Sequence, residues 1–217
     1  MHMCKAIIFD LGKVVFDLSF DRTFQYWATA SDRPFEDIKS KFDFDSTFNK
    51  FEKGEIASRQ FRTDISQRLN LKLSDHEFDK GWCALYLDTY SGIDKVLAEL
   101  KLDYKIVALT NTNIIHSKVW KVKYADTLQH FQKIFSSHEL KERKPDLKAY
   151  QIVLDYLGIE PQQAVFLDDN LANIKGAFQL GIKTILVTSY KQMTEELEVN
   201  GLLKRSTRVI IKSVNNF

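Results

Sequence analysis

The feature that most constrains the fold is a set of short, mainly apolar runs that each lead into polar residues. The first run, residues 6–9, leads directly into Asp10. Three later runs, residues 106–109, 133–136 and 164–167, also precede polar residues, and amphipathic segments separate them. Buried strands that alternate with helices are typical of a parallel sheet with helices on both faces. The sequence therefore predicts a doubly wound α/β core.

The polar residues that follow these runs are expected to form one site. Right-handed crossovers place the carboxyl ends of parallel strands along the same edge of a sheet, where such folds bind ligands. The site would combine a carboxylate, a hydroxyl with backbone amides, a lysine and a further pair of acids, and this set suits phosphoryl transfer. Its members are Asp10, Thr110, Asn111, Lys144, Asp168 and Asp169.

The order and spacing of these residues resemble the four motifs of the haloacid dehalogenase superfamily of phosphohydrolases. The segments FDLGKVVFD, KGEI, LTNTN, RKPDLKAY and AVFLDDNLANIKGAFQLG resemble one branch of that superfamily. The branch contains the amino-terminal phosphatase domain of soluble epoxide hydrolases and bacterial α-D-glucose-1-phosphate phosphatases. The similarity extends from about residue 6 to about residue 187, which is most of the chain.

The alternation of strands and helices stops after the first run and resumes near residue 93. In between, Phe20, Phe24 and Trp27 recur at helical spacing, and Ser74 before Glu77 indicates a capping box. The resemblance implies an inserted small helical cap at 17–91, with the core formed by 1–16 and 92–217. Helices are also expected at 147–157, 173–180 and 194–199, with strands at 183–187 and at the edge segment 209–211.

The resemblance also implies a role for each residue that handles phosphate. Asp10 would attack phosphorus and form an aspartyl phosphate that water then hydrolyses. The Thr110 hydroxyl and the backbone amides that follow at Asn111 would bind phosphate oxygens. Lys144 would neutralise the incoming phosphate and the nucleophile, while its neighbours Lys141 and Arg143 are expected to be exposed to solvent.

A divalent cation is expected because Asp168 and Asp169 place two like charges side by side. Such a pair is costly unless a cation offsets it, and Mg²⁺ prefers oxygen ligands. By the resemblance, Asp10, the carbonyl of Gly12 and Asp169 bind Mg²⁺ directly, and Asp168 contacts it through water or supports the direct ligands. Asn173, one helical turn later, would hold that arrangement. Since the histidines show no ligand spacing, a zinc site is not expected.

One departure from the general pattern of the superfamily lies at Gly12. Many of its phosphatases, and its sugar phosphomutases, carry a second aspartate at this position as a general acid and base. Its absence argues against a mutase but leaves hydrolysis possible. Asp17, a bound water or a substrate hydroxyl could then protonate the leaving group. The candidates for facing the substrate from the cap are Gly54, Glu55, Phe20, Phe24, Trp82 and Tyr86.

The composition agrees with a monomeric cytoplasmic enzyme. The chain has 217 residues and a formal net charge of +2, which is too small to indicate a nucleic-acid partner. No apolar stretch approaches the roughly 18 residues of a membrane helix, so no membrane association is expected. Cys4 and Cys83 show no metal or redox spacing and are expected to be reduced.

The sequence thus predicts a Mg²⁺-dependent phosphatase of small phosphate monoesters, with a sugar phosphate such as a hexose 1-phosphate as the substrate that the resemblance favours. Two alternatives stay open. A 2-haloacid dehalogenase would use the same aspartate on carbon, but it needs no metal. A non-catalytic binding protein would keep the scaffold and lose the reaction. Turnover of an aryl phosphate that depends on Mg²⁺ would separate the three.

Overall fold

The computed structural model describes residues 3–204 and contains a five-stranded parallel sheet. Its strands are β1 (Ala6–Phe9), β4 (Lys105–Thr110), β5 (Lys133–Ser136), β6 (Ala164–Asp168) and β7 (Lys183–Leu186). They lie in the order β5, β4, β1, β6, β7, and every neighbouring pair is parallel. The strand that carries Asp10 at its end is therefore the central one, with the chain extending the sheet on both sides of it.

Helices cover both faces of this sheet. They are α6 (Ile93–Asp103), α7 (Ile114–Lys123), α8 (Ala125–Leu128), α9 (Ser137–Leu140), α10 (Leu147–Leu157), α11 (Leu171–Gln179) and α12 (Tyr190–Val199). Successive side chains of a strand point to opposite faces, and β1 follows this rule. Ile7 and Phe9 pack with residues of α6, α7 and α12, whereas Ile8 packs with residues of α10 and α11. The predicted doubly wound α/β fold is confirmed.

Along the chain, a block of five helices is inserted between the first strand of the parallel sheet and its later strands. These helices are α1 (Phe20–Ala30), α2 (Phe35–Lys41), α3 (Ser46–Glu52), α4 (Ser58–Leu69) and α5 (Asp75–Trp82). They bury an apolar cluster of their own, in which the rings of Trp27 and Trp82 stack with centroids 5.6 Å apart. Ile115 of α7 joins this cluster, so the helical block packs against the start of that helix.

The prediction that residues 17–91 contain only helices was wrong at both ends of that segment. A two-stranded antiparallel sheet is formed there by β2 (Phe16–Leu18) and β3 (Tyr86–Thr89). Strands of three and four residues are too short for their hydrophobic alternation to be recognised. Their pairing joins residues about 70 positions apart in the chain, which no local pattern reports.

The remaining elements agree with the sequence within a few residues. The helix predicted at 147–157 has those bounds, and Gly158 ends it with a φ of 65°. Two predicted helices start earlier than expected, at Leu171 and Tyr190. The strand predicted at 183–187 ends at Leu186. The edge strand predicted at 209–211 lies outside the described residues.

The capping box predicted at the start of α5 is formed and gives a test of local stability. The Ser74 hydroxyl accepts a hydrogen bond from the Glu77 amide at 3.2 Å, and the Glu77 carboxylate accepts one from the Ser74 amide at 2.9 Å. Ser74→Ala should lower the free energy of unfolding by about 1 kcal/mol, as is typical of a lost N-cap. Urea denaturation would measure the change.

Ser40→Ala is the matched control, because Ser40 is exposed within α2 and its side chain makes no hydrogen bond within residues 3–204. Its effect should stay within about 0.5 kcal/mol. Equal effects of the two substitutions would show that the box does not stabilise α5.

Candidate active site

The centre of the site is the buried ammonium group of Lys144. Its side chain has no solvent exposure, and Nζ lies 2.9 Å from Oδ1 of Asp10 and 2.6 Å from Oδ2 of Asp168. Burial alone would lower the pKa of Lys144, but the two carboxylates raise it above its usual value. The lysine is therefore positively charged and joins the ends of β1 and β6 with the loop after β5.

The side chain of Asn111 fixes the backbone of Lys144. Its Nδ2 donates to the carbonyl oxygen of Lys144 at 2.8 Å, and its Oδ1 accepts from the Lys144 amide at 2.9 Å. Both groups of the carboxamide are thus bonded to the main chain of the loop after β5. The sequence predicted that Asn111 contributes a backbone amide to phosphate binding, but it missed this positioning role of the side chain.

Asp168 makes enough hydrogen bonds to satisfy both of its carboxylate oxygens. Oδ1 accepts from the Asn170 amide at 2.8 Å and from Nδ2 of Asn173 at 3.0 Å. Oδ2 accepts from Lys144 and also lies 3.0 Å from Nδ2 of Asn173. This bonding suits a residue that supports the metal ligands better than one that binds a metal directly. Asn173 lies where the sequence placed it, against the acidic pair.

Within the described part of the chain, three carboxylates could share a cation. One oxygen each of Asp10, Asp168 and Asp169 lies within 4.8 Å of the others. With Lys144 charged, full ionisation of the three acids would leave an excess charge of about two negative units. Burial raises the pKa of Asp10 to about 7, opposed by Lys144 and reinforced by the other two acids. Burial and Asp168 also raise the pKa of Asp169.

These carboxylates fit Mg²⁺ in both charge and donor type. A hard divalent cation takes oxygen ligands, keeps several waters, and would offset the charge that Lys144 leaves. It would also lower the pKa of Asp10 and hold that carboxylate in the ionised form needed for attack on phosphorus. The side chain of Asp169 is exposed and lines the cavity, so an ion can reach it, whereas Asp168 is buried.

Thr110 and the residues after it line the same space from the end of β4. Thr110 is only 6% exposed, and it borders a cavity of about 540 Å³ together with Asp10, Asn111 and Asp169. That volume lies within the range of small-molecule sites. Five of the predicted phosphate and metal residues, Gly12 among them, therefore line one cavity, and Lys144 contacts Asp10 without lining that cavity.

The residues of the helical segment that line the cavity differ from the predicted set of substrate-facing residues. Phe20 and Tyr86 border the cavity, as predicted. Phe24 and Trp82 instead belong to the apolar core of the helical block, and neither Gly54 nor Glu55 lines the cavity. Among residues 17–91 the sequence missed five lining residues, which are Leu18, Phe44, Phe48, Glu52 and Leu85.

A local signal could have revealed Glu52. Phe48, Phe51 and Glu52 follow the i, i+3, i+4 spacing of one helix face, so an acid stood among residues expected to be buried. Its partner Arg143 was predicted to be exposed, but its side chain is only 22% exposed because it pairs with Glu52. Lys141 is exposed, as predicted.

His116 borders the cavity as a neutral structural residue. Its Nε2 lies 2.9 Å from the Trp82 carbonyl oxygen, and its Nδ1 lies 3.1 Å from Nδ2 of Asn113. These partners require a hydrogen on Nε2 and a lone pair on Nδ1. Burial lowers the pKa of His116 to about 3, so the ring stays uncharged at neutral pH.

The position of Gly12 is closed to a larger side chain by Leu18. A Cβ atom added at Gly12 would lie 2.6 Å from Cδ1 of Leu18, so an aspartate there would displace this leucine. Asp17, one candidate acid, forms an ion pair with Lys13 at 2.6 Å. Slight burial raises the pKa of Asp17, but hydrogen bonds from Lys13 and Leu18 outweigh it and leave the pKa below its usual value. Asp17 is therefore a poor proton donor.

The sequence profile of the haloacid dehalogenase-like hydrolases matches residues 4–181. The chain is 22% identical to a D-ribitol-5-phosphate phosphatase of Bacteroides thetaiotaomicron, over 91% of this chain and 98% of the relative. A solved haloacid dehalogenase family enzyme of the same organism, in complex with magnesium and inorganic phosphate, is 30% identical. Its TM-score is 0.75, and the match covers 86% of this chain and 95% of that one.

The L-2-haloacid dehalogenase of Xanthobacter autotrophicus shares the fold, with a TM-score of 0.64 and 20% identity over 92% of this chain and 83% of that one. The chain belongs to the haloacid dehalogenase-like hydrolase family. Its enzyme class is that of the family's phosphatases, as predicted. Mg²⁺ as the cofactor is also confirmed, by the magnesium complexes of the related enzyme and by the cluster of three carboxylates. No helix among residues 3–204 is long and apolar enough to cross a membrane.

The raised pKa of Asp10 predicts that Mg²⁺ binding depends on pH. Below about pH 7 the protonated carboxyl must lose its proton before it can bind the ion, so binding releases a proton. Apparent Mg²⁺ affinity should therefore fall at least about tenfold for each pH unit below 7 and level off above it. Isothermal titration calorimetry in buffers of different ionisation enthalpy would measure both the affinity and the released proton.

The same titration of Asp10→Asn provides the comparison. This variant should bind Mg²⁺ more weakly, and its affinity should depend less steeply on pH because the titrating group is gone. An unchanged slope would assign the pH dependence to another group.

Proposed function

We propose that the chain is a Mg²⁺-dependent phosphatase that hydrolyses sugar or polyol phosphates through an aspartyl phosphate on Asp10. The observation that carries this proposal is the position of the Lys144 ammonium between Asp10 and Asp168, with Asp169 beside them. The proposed nucleophile Asp10 and the proposed metal ligand Asp169 thereby line one cavity, and the Lys144 ammonium contacts the nucleophile. A non-catalytic binding protein would have no need of this arrangement.

In the first step, a carboxylate oxygen of Asp10 attacks phosphorus in line with the departing oxygen. The bond from phosphorus to the leaving oxygen breaks, and the departing alkoxide takes a proton from a bound water or a hydroxyl of the substrate and leaves as the alcohol. The Thr110 hydroxyl and the amides after β4 would bind the equatorial oxygens of the phosphoryl group. Bound Mg²⁺ would supply electrostatic stabilisation of the charge on those oxygens.

In the second step, water attacks the aspartyl phosphate, which releases inorganic phosphate and restores Asp10. Lys144 keeps its contact with the attacking carboxylate throughout, because Asn111 fixes its backbone and Asp168 holds its ammonium. Such fixed charges need no reorganisation when charge develops in the transition state. Lys144 and Asn111 are therefore assigned to positioning and charge neutralisation, and Asp10 to covalent catalysis.

We assign the helical block α1–α5 as a cap, with residues 17–91 as the inserted segment and 1–16 and 92–217 as the core. The support is its separate apolar cluster and its contribution of Phe20, Phe44 and Phe48 to the cavity wall. Aromatic faces of this kind pack against the apolar faces of sugars and polyols.

Two classes of substrate are candidates. Similarity to the D-ribitol-5-phosphate phosphatase supports a primary phosphate ester of a polyol as the substrate. A hexose 1-phosphate, which the sequence favours, remains the second candidate, since Gly12 supplies no acid to assist a poor leaving group.

Asp10→Asn should reduce turnover by several orders of magnitude and leave the fold intact. Asparagine has nearly the same shape, but its carboxamide cannot attack phosphorus. Hydrolysis of p-nitrophenyl phosphate with saturating Mg²⁺ would measure the loss. Mass spectrometry of acid-quenched wild-type enzyme should show one added phosphoryl group on the peptide that contains Asp10.

The control is Asp155→Asn, which changes an exposed carboxylate on α10 to the same amide and should keep wild-type turnover. Retention by Asp10→Asn of more than about a tenth of the rate would exclude Asp10 as the nucleophile. Full wild-type activity in excess chelator would instead support the dehalogenase-type alternative. Absence of any turnover with a broad panel of phosphate esters would support a binding protein.

The glycine at position 12 predicts a dependence on the acidity of the leaving group. Without an aspartate there, an alcohol of lower pKa should depart faster. An anomeric hydroxyl is more acidic than a primary one, so a hexose 1-phosphate should form the phosphoenzyme faster than the matching 6-phosphate. Single-turnover measurements at saturating substrate would compare the two chemical steps. Equal rates, or a faster 6-phosphate, would show that another group supplies the proton.

A further inference from the structure

An ion pair joins the helical block to the core directly beside the catalytic lysine. Glu52 is the last residue of α3 and is 6% exposed, and Arg143 immediately precedes Lys144 in the chain. Nε of Arg143 donates to Oε2 of Glu52 at 3.1 Å, and Nη2 lies 2.9 Å from the same oxygen. Both residues line the same cavity as Asp10.

This pair is not the only contact that anchors the end of α3 to the core. The Ser137 hydroxyl donates to the carbonyl oxygen of Glu52 at 2.6 Å, and Nζ of Lys141 donates to the carbonyl oxygen of Gly54 at 2.9 Å. Burying a carboxylate carries a large desolvation cost, which its attraction to the paired guanidinium group offsets only in part. The main-chain anchors leave the charged side chains available for another role.

One acceptor atom and one donor group of the pair have no hydrogen-bond partner within residues 3–204. Both contacts from Arg143 are to Oε2, and within residues 3–204 no hydrogen bond is made by Oε1 of Glu52 or Nη1 of Arg143. A hydroxyl group can donate to such an oxygen and accept from such a nitrogen at the same time. Since the pair as a whole is neutral, it favours a neutral hydroxyl over a second anionic group.

We propose that Glu52 and Arg143 bind a hydroxyl of the leaving group and so make the enzyme select polyhydroxylated phosphate esters over plain alkyl phosphates. This inference rests on the proposed phosphatase function and deepens it. Glu52 and Arg143 line the same cavity as Asp10, and Phe20, Phe44 and Phe48 give that cavity an apolar surface for the carbons of the ester. Sites built to bind a hydroxyl reject analogues that lack it much more strongly than apolar pockets reject extra methylenes.

The first experiment compares kcat/KM for ribitol 5-phosphate and n-pentyl phosphate, which have the same chain length and the same phosphate. Wild-type enzyme should prefer the polyol ester. Glu52→Gln and Arg143→Lys should each lower that preference about 10- to 100-fold, as expected when a hydrogen bond to a charged group is lost. Asp79→Asn is the matched control, since Asp79 pairs with Arg62 inside the helical block and does not line the cavity.

The second experiment removes hydroxyls from the substrate, so that it does not depend on the variants folding. Among monodeoxy analogues of ribitol 5-phosphate, one should lose at least about tenfold in kcat/KM with the wild-type enzyme. Glu52→Gln should no longer discriminate against that analogue. Thermal unfolding of each variant identifies any loss of structure, in which case the wild-type deoxy series decides alone.

The outcomes separate this proposal from the one on which it rests. If the wild-type enzyme hydrolyses neither these two esters nor a hexose 1-phosphate nor p-nitrophenyl phosphate, the proposed function fails. If it hydrolyses both, but the preference of Glu52→Gln equals that of Asp79→Asn, the assignment of Glu52 and Arg143 is overturned. The same conclusion follows if no single deoxygenation affects the wild-type enzyme.

Discussion

The buried ammonium of Lys144 is the interaction on which the rest of the site depends. A lysine without solvent exposure keeps its charge only because Asp10 and Asp168 lie within 2.9 Å of it. Without either carboxylate the buried charge would be uncompensated, and breaking a buried ion pair in this way typically costs about 3–5 kcal/mol. The same contact brings together the ends of β1 and β6 and the loop after β5. It therefore couples the folding of the sheet edge to the geometry of the reaction.

The lysine compensates only part of the negative charge around it, and this explains why a metal belongs there. Hydrogen bonds from Asn170 and Asn173 satisfy Asp168, which leaves Asp10 and Asp169 as the acids with open coordination. Burial raises the pKa of both. Bound Mg²⁺ would therefore favour the ionised form of Asp10, the proposed nucleophile, which burial alone disfavours.

Much of the fold could be read from local sequence patterns. The apolar run at 6–9 and the helix at 147–157 are strongly periodic, and hydrophobic periodicity is the main signal of secondary structure. Asp10, Lys144 and Asp168 could be placed together because parallel strands of a crossover fold end at one edge. The strands β2 and β3 were missed, since their pairing depends on backbone contacts between distant segments.

The sequence by itself determined the α/β class, the order of the elements and which polar residues lie at the sheet edge. These properties follow from periodicity and chain direction, which are local. Only the tertiary structure decided that Glu52 and not Glu55 lines the cavity, that Asn111 holds the Lys144 backbone, and that Arg143 is half-buried. The Asn111 contact depends on how two distant segments of the core meet, and the other two depend on how the helical block packs against the core. That packing joins residues up to 91 positions apart, and no local pattern encodes it.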